Sequence, residues 1–328
     1  MALKILKLSV ISFIILFVIF YYWASSSTRD ESEYHTIDSF IPNSTMNSKD
    51  TISIMSYNIG YLSGMINNLP IERTKELFEK NYETAKTLLE NENADIIAFQ
   101  EIDYEANRSF YVDQYLELAK DLKYPYGAKS INWDMNYVPF PYFPISMNFG
   151  KIISGQAILS NFPILSTKAF KFDKPESNPF YYNQFYIDRL LQITEIDLGK
   201  MLTVINVHLE AYKKNAREAQ MRVFIDEVKN YFDGRPVIVL GDFNSRLDAE
   251  DESTLKLFLD AFPVHEATID SNGNYPTTIG TYSTENPTKK IDHIFFTYES
   301  IELIDWRIPL TNVSASDHLP LIMRLKLK

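Results

Sequence analysis

The chain has 328 residues, 45% of them hydrophobic and 14% aromatic, which is ample for a real core and argues against disorder. A formal net charge of −11 speaks against a broad, sequence-independent grip on nucleic acid, which needs clustered Lys and Arg, and leaves room only for a locally basic cleft. With no cysteine, disulfides, thiolate metal sites, a cysteine nucleophile and a lipid anchor on Cys are all excluded, so any metal must sit on oxygen and nitrogen ligands.

Lys4 and Lys7 precede an uncharged run, LSVISFIILFVIFYYW, that closes on Tyr21, Tyr22 and Trp23 and gives way to SSSTRDESE. With its flanks the run reaches the roughly 20 residues of a spanning helix. Positive residues before it and acidic residues after it put the N-terminus inside and the body outside. A signal peptide cut near Ala24-Ser25-Ser26 is the other reading. Residues 1–24 are thus a signal-anchor, with residues 8–24 in the membrane, or a signal peptide; the body is extracytoplasmic, anchored or secreted. Residues 25–50, rich in Ser, Thr, Asn and Asp without a sustained period, read as a polar stalk, with the folded domain spanning 51–328.

In chain order, TISIMSYNIG (51–60) alternates apolar and polar residues and ends at Asn58, a strand running into a loop. Residues 72–91 place Phe78, Tyr82, Ala85 and Leu89 on one helical face, and ADIIAFQE then reads as a buried strand ending at Gln100 and Glu101. SGQAILSNFPIL (154–165), MLTVINVHLEA (201–211) and KKIDHIFFT (289–297) are further strands, carrying His208 and Asp292 at or near their ends. Residues 215–230 form a helix with Ala219, Val223 and Val228 inward. PVIVLGDFNSRLD (236–248) is a buried β-branched run that turns at Gly241 and delivers Asp242 and Asn244 at its tip. The chain closes with SASDHLPLIMRLKL, where Asp317 and His318 precede a last alternating strand. Two aromatic stretches, 131–150 and 178–186, read as loops that either cover the sheet or form an apolar rim facing substrate or membrane.

The polar residues at strand ends are Asn58, Glu101, His208, Asp242, Asn244, Asp292, Asp317 and His318. Alone, each has a dull explanation as a turn or cap residue. Together they supply hard oxygen ligands suited to Mg²⁺ or Mn²⁺, two imidazoles, and a carboxylate to orient one of them.

The ordered blocks SYNIG, IIAFQEID, SGQAILS, INVHLE, VLGDFNS, KIDHIFFT and SDHLP resemble those of the endonuclease/exonuclease/phosphatase superfamily over about residues 51–328. The resemblance implies an α/β fold, a four-layer sandwich of two packed β-sheets flanked by helices, preceded here by the N-terminal membrane-spanning helix. It also implies metal-dependent hydrolysis of phosphoric esters, with Mg²⁺ or Mn²⁺ as cofactor. On this resemblance Glu101 is the principal metal ligand, Asn58 helps to hold the metal or a bound phosphate oxygen, and Asp317 is linked to the metal directly or from behind its ligands. Asp242 orients or deprotonates the attacking water, Asn244 positions phosphate, His318 and His208 face the phosphate, and Asp292 fixes the His318 tautomer.

Asn161 stands where many relatives carry Arg, and His293 where Tyr is common; His293 is read as structural, and Arg189 and Lys151 are the nearest replacement cations. The motifs settle reaction type and leave the substrate open. Acidity, the apolar N-terminus and the aromatic stretches favour a lipid-linked or small phosphoester at the membrane. An exported nuclease with nucleic acid as substrate is the alternative. A non-catalytic binding module is the third reading, and it sits poorly with the presence of Glu101, Asp242, Asn244, Asp317 and His318.

Overall fold

The computed structural model describes residues 1–42, 49–67, 69–249, 253–269, 280–309 and 315–328. The elements run α1 (Ala2–Ala24), β1 (His35–Ser39), β2 (Ile52–Asn58), α2 (Lys75–Glu92), β3 (Ile96–Asp103), α3 (Gln114–Asp121), β4 (Tyr126–Val138), β5 (Gly150–Ser160) and β6 (Ile164–Lys171). They continue through α4 (Phe180–Asn183), β7 (Leu190–Asp197), β8 (Met201–His208), α5 (Lys214–Val228), β9 (Val237–Asp242), α6 (Thr254–Ala261), β10 (Val264–Glu266), β11 (Asp292–Thr297), β12 (Ile301–Arg307) and β13 (Leu321–Leu327).

Two sheets result, one of seven strands in the order β1-β4-β5-β3-β2-β13-β12 and one of six in the order β10-β11-β9-β8-β7-β6. Each contains one parallel pair, β2 with β3 and β8 with β9, and each pair is joined through a helix, α2 or α5. A parallel pair needs such a crossover, and the crossover helix covers the sheet's outer face. The period-2 alternation of β2 divides the layers. Ile54 points into the core between the sheets, with Ile96, Ile158, Val204, Leu240 and Ile294. Met55 and Tyr57 point the other way, under Phe78, Ala85 and Leu89 of α2 and Leu118 of α3. On the far side Met221 and Phe224 of α5 and Phe258 of α6 cover Ile205, Val239 and Phe295. The architecture is the four-layer helix–sheet–sheet–helix sandwich expected.

Local chemistry fixes the helix ends. Thr74 Oγ1 accepts from the Leu77 N–H at 3.2 Å and Asp113 Oδ1 from the Leu116 N–H at 3.0 Å, so both helices start on a side-chain cap. Asn93 ends α2 in the left-handed region at φ 44°, a conformation Asn tolerates better than most residues.

Three expectations need correction. The α5 face is rotated from the one read: Gln220, Met221, Phe224 and Val228 are buried, while Ala219 and Val223 are exposed. Most of 131–138 is strand, since β4 runs to Val138; the alternation Ile131, Trp133, Met135 was present, and only 139–149 loops out. Part of the stalk is also folded. Residues 35–39 pair antiparallel with β4 as an edge strand, Tyr34 is buried, and Asp134 accepts from Thr28 N–H and Arg29 N–H, each at 2.9 Å. The polar composition of 25–50 hid this because an edge strand with one solvated side needs few apolar residues.

Candidate active site

Three strands of the second sheet bring their ends into one row. In the pairing register His208 of β8 lies opposite Asp242 of β9, and Asp242 lies opposite Asp292 of β11. Directly opposed residues share a face of the sheet, so register alone sets the three side chains next to each other. Gly241 permits the close pairing: at φ 136° a Cβ there would stand 1.9 Å from the Val207 carbonyl oxygen. From the first sheet, β2 ends at Asn58, and β3 delivers Glu101 through a slip of register against β5 between Phe99 and Ile102. Glu101 holds φ 52°, a strained value for a non-glycine residue that turns its side chain out of the strand into the cleft. Behind it Gln100 Nε2 donates to Asn206 Oδ1 at 2.7 Å, and Asn206 Nδ2 to the Phe99 carbonyl at 3.0 Å, tying β3 to β8.

The Asp317–His318 turn closes the row against Gly60. A Cβ on Gly60, at φ 54°, would lie 2.8 Å from Ser316 Oγ and 2.9 Å from Asp317 Oδ1, so only glycine lets the two loops meet. Ser316 Oγ locks the approach by donating to the Asn58 carbonyl at 2.7 Å.

The resulting cleft, about 430 Å³, is lined by Glu101, His208, Asp242, Asn244, Asp317 and His318 among others. Asn58 and Asp292 stand behind it. Asn58 Nδ2 donates to Asp242 Oδ2 at 3.0 Å while its Oδ1 accepts the Gly60 N–H at 3.1 Å. The Asn244 N–H donates to Asp242 Oδ1 at 2.8 Å, and Asn244 holds φ 49°. His318 Nδ1 is 2.9 Å from Asp292 Oδ2, its Nε2 is 3.8 Å from Asp242 Oδ2, and His208 Nε2 is 3.5 Å from the same oxygen. Asp242 is therefore the acid on which both histidines converge.

The electrostatics separate these groups. Burial, reinforced by the Asp292 carboxylate, pushes Asp242 up to about 7. Burial also raises Glu101, with Asp317 adding to it. Burial and the Arg189 guanidinium, 3.1 Å from Nδ1, hold His208 well below the usual imidazole range and keep it neutral. For His318 burial opposes protonation, but Asp292, Asp242 and Asp317 outweigh it and lift the ring well above its ordinary value. The two imidazoles of one cleft are thus shifted in opposite directions.

Sequence reasoning passed over Asn67. Its Nδ2 lies 2.9 Å from Glu101 Oε2 and 3.5 Å from Asp317 Oδ1, so two carboxylates converge on one amide. That donor set suits a hard divalent cation. A second acidic group, Asp242, Asp292 and His318, has its ligand atoms within 4.8 Å of one another, but the 2.9 Å hydrogen bond already engages the His318 ring there. Glu101 and Asp317 are the better-suited pair. Tyr282, whose ring centroid is 5.1 Å from that of His318, was also missed; it lies in no recognisable block. Of the two replacement cations, Arg189 lines the cleft, whereas Lys151 is bound to Glu105 outside it. His293 is fully buried, bonded to Lys290 and to the Ser245 carbonyl beneath the Asp242–Asn244 turn.

The Endonuclease/Exonuclease/phosphatase family model matches residues 55–318. No curated protein matches the sequence. Among solved structures, an endonuclease/exonuclease/phosphatase from Beutenbergia cavernae is similar over 85% of this chain and 72% of its own, at 18% identity and TM-score 0.64. The human Nocturnin catalytic domain with bound sulfate anion is similar over 92% of this chain and 100% of its own (16% identity, TM-score 0.60). A mannosyl-6-phosphatase from Bacteroides thetaiotaomicron covers 84% of this chain and 99% of its own (16% identity, TM-score 0.57). The match of the family model across the sandwich and the cleft establishes that this chain belongs to the endonuclease/exonuclease/phosphatase family, whose members are hydrolases acting on phosphoric ester bonds.

Proposed function

We propose that this chain hydrolyses a lipid-linked or small phosphoester at the outer face of a membrane, using Mg²⁺ or Mn²⁺. The observation that carries the reading is the convergence of His208, His318 and the Asn58 amide on Asp242, beside the Glu101–Asp317 pair. Glu101 and Asp317 would hold the cation, with Asn58 near it. Bound there, the ion would supply counter-charge to the phosphate oxygens and increase the acidity of water.

The chain's own groups account for the rest. Asp242, poised near neutrality, accepts the proton of the attacking water. The Asn58 and Asn244 donors keep its carboxylate aimed into the cleft. His318, protonated and fixed by Asp292, donates to the phosphate; His208, neutral, offers one N–H to an equatorial oxygen. Arg189 adds a buried positive charge on the same side.

The membrane location is read from α1, an apolar helix of 23 residues whose most hydropathic stretch is exposed, although its last turns touch the body. The lysines before it support a signal-anchor reading with the body extracytoplasmic; cleavage of the segment would leave the body secreted. A substrate panel separates this reading from an exported nuclease: phospholipids in vesicles, small phosphomonoesters and diesters, plasmid DNA and RNA, each with Mg²⁺ and with chelator. The reading expects metal-dependent turnover of lipid or small esters. Salt-sensitive cleavage of DNA alone would favour the nuclease.

A further inference from the structure

A second chamber of about 290 Å³ opens off the cleft, sharing Glu101, Arg189 and Tyr212 with it. Its walls are Trp133 and Val138 of β4, Phe140 and Phe149 of the following loop, and Phe185 and Ile187 before β7. Glu101 and Arg189 are its only charged lining residues among those described, and both stand at the junction. Trp133 spends its Nε1–H on the Phe185 carbonyl at 3.1 Å, and Tyr186 its hydroxyl on Glu210 at 3.0 Å, so these two offer ring faces, and Tyr61, Tyr142, Tyr182 and Tyr212 complete a lining that is largely aromatic with a few hydroxyls. A sleeve of this kind, charged at one end, matches a molecule with an anionic head and an apolar body.

The outside of the same segments is apolar too. Phe143 and Phe180 are 81% and 80% exposed, with Tyr142, Ile145 and Tyr181 exposed beside them in sequence. The C-terminal turns of α1 lean on this region: Phe20 meets the Tyr137 ring at 5.8 Å, Tyr21 meets the chamber residue Phe185 at 5.4 Å, and Asn136 Nδ2 donates to the Trp23 carbonyl at 3.2 Å. The helix read as a membrane anchor therefore ends against the wall of the chamber. Exposed aromatic residues at that level are the pattern of a membrane interface.

We propose that the aromatic chamber takes the hydrocarbon tail of an amphiphilic phosphoester lifted from the bilayer, with its phosphate laid in the acidic cleft next to Arg189. The head-group half of this statement rests on the phosphoesterase reading; the tail site stands on the chamber and on the contacts of α1. It identifies the chamber as the part of the site that selects substrate, and the loop tips as the part that holds it at the lipid surface.

The test is photolabelling of the full chain in phosphatidylcholine vesicles, with chelator present so that no turnover is needed. The probe is dodecyl phosphate carrying a diazirine at the end of its chain. Label is expected on Trp133, Phe140, Phe149 or Phe185, suppressed by excess plain dodecyl phosphate and not by methyl phosphate or adenosine monophosphate. Ile187→Trp, which fills the chamber, should remove most of that label, and Val138→Phe should repeat the block from β4 should the first variant fold poorly by circular dichroism. Label confined to α1 and the exposed tips, label indifferent to both variants, or suppression by adenosine monophosphate as strong as by dodecyl phosphate would each overturn the tail site. A chain that labels as expected but hydrolyses no phosphoester with Mg²⁺ would refute the catalytic reading and leave the tail site standing.

Discussion

Asp292 Oδ2 lies 2.9 Å from His318 Nδ1, and the opposite side of the same ring lies 3.8 Å from Asp242 Oδ2, so one imidazole is suspended between two acids of different duty. On the proposed mechanism Asp292 fixes the tautomer and the charge, and Asp242 shares the reacting space. His318→Ala should lower kcat by about 10²-fold or more, the scale of a lost acid or oxyanion-type contact. Asp292→Ala should cost less and add little to the double variant, because the two act as a unit. Kinetics of the three variants check this, and simple additivity would count against the pair. His265, exposed and stacked on Tyr298, should tolerate Ala.

Asp242 links function to stability. Its folded value near 7 lies above the 3.8 of a free carboxyl, so between those values the folded state binds more protons than the unfolded state and the group's contribution to stability falls as pH rises. Asp242→Asn removes that pH dependence. In chelator, the melting temperature of the variant relative to wild type should climb from about pH 4 to about pH 7 and level off above, while turnover is lost. A difference that is flat across the range would show that Asp242 is not a strained buried acid.

The proposed cation site gives opposite expectations for two neighbours. Glu101→Gln removes a ligand charge and should raise the Mg²⁺ needed for half-maximal rate by roughly 10- to 100-fold, a range typical of losing support at a metal site. Asn67 donates to both carboxylates and so competes with the ion for them. Asn67→Ala should leave that requirement unchanged or lower it. Magnesium titrations of the two variants decide the matter.

Truncation should distinguish anchor from body. Removing residues 1–24 deletes α1 and its contacts with Tyr137, Phe185 and Asn136 but leaves the bonds of Thr28, Arg29 and Tyr34 to Asp134 intact, so the melting temperature should fall only slightly. Removing residues 1–50 also deletes β1 and uncovers the hydrogen-bonding edge of β4, so that product should melt earlier and aggregate. Thermal melts with light scattering compare them.

Much of this was legible in the residues because most of the proposed site residues sit near the point where an apolar run meets a polar one. VIVLGD carries Asp242 at the tip of β9 as expected, whereas the IIAFQE strand runs on to Asp103, so Glu101 leaves it at a register slip inside the strand rather than at its end. Register was not legible: that His208, Asp242 and Asp292 stand in one row depends on which strands pair, and alternation within a strand does not encode its neighbour. Asn67 was missed for a related reason, since a lone amide in a loop gains meaning only from the two carboxylates the fold brings to it. The α5 face was misread because its inward residues include Arg217 and Gln220, polar side chains that bond the Glu210 backbone and that hydrophobic periodicity cannot count.

The most direct test of the central claim is hydrolysis of bis(p-nitrophenyl) phosphate by the full chain, first in EDTA and then with Mg²⁺ restored, beside the Glu101→Gln variant. The account predicts no p-nitrophenol release in EDTA, release on adding Mg²⁺, and a variant that needs far more metal to reach the same rate. Undiminished turnover in EDTA, or a Glu101→Gln variant indistinguishable from wild type at low Mg²⁺, would contradict it.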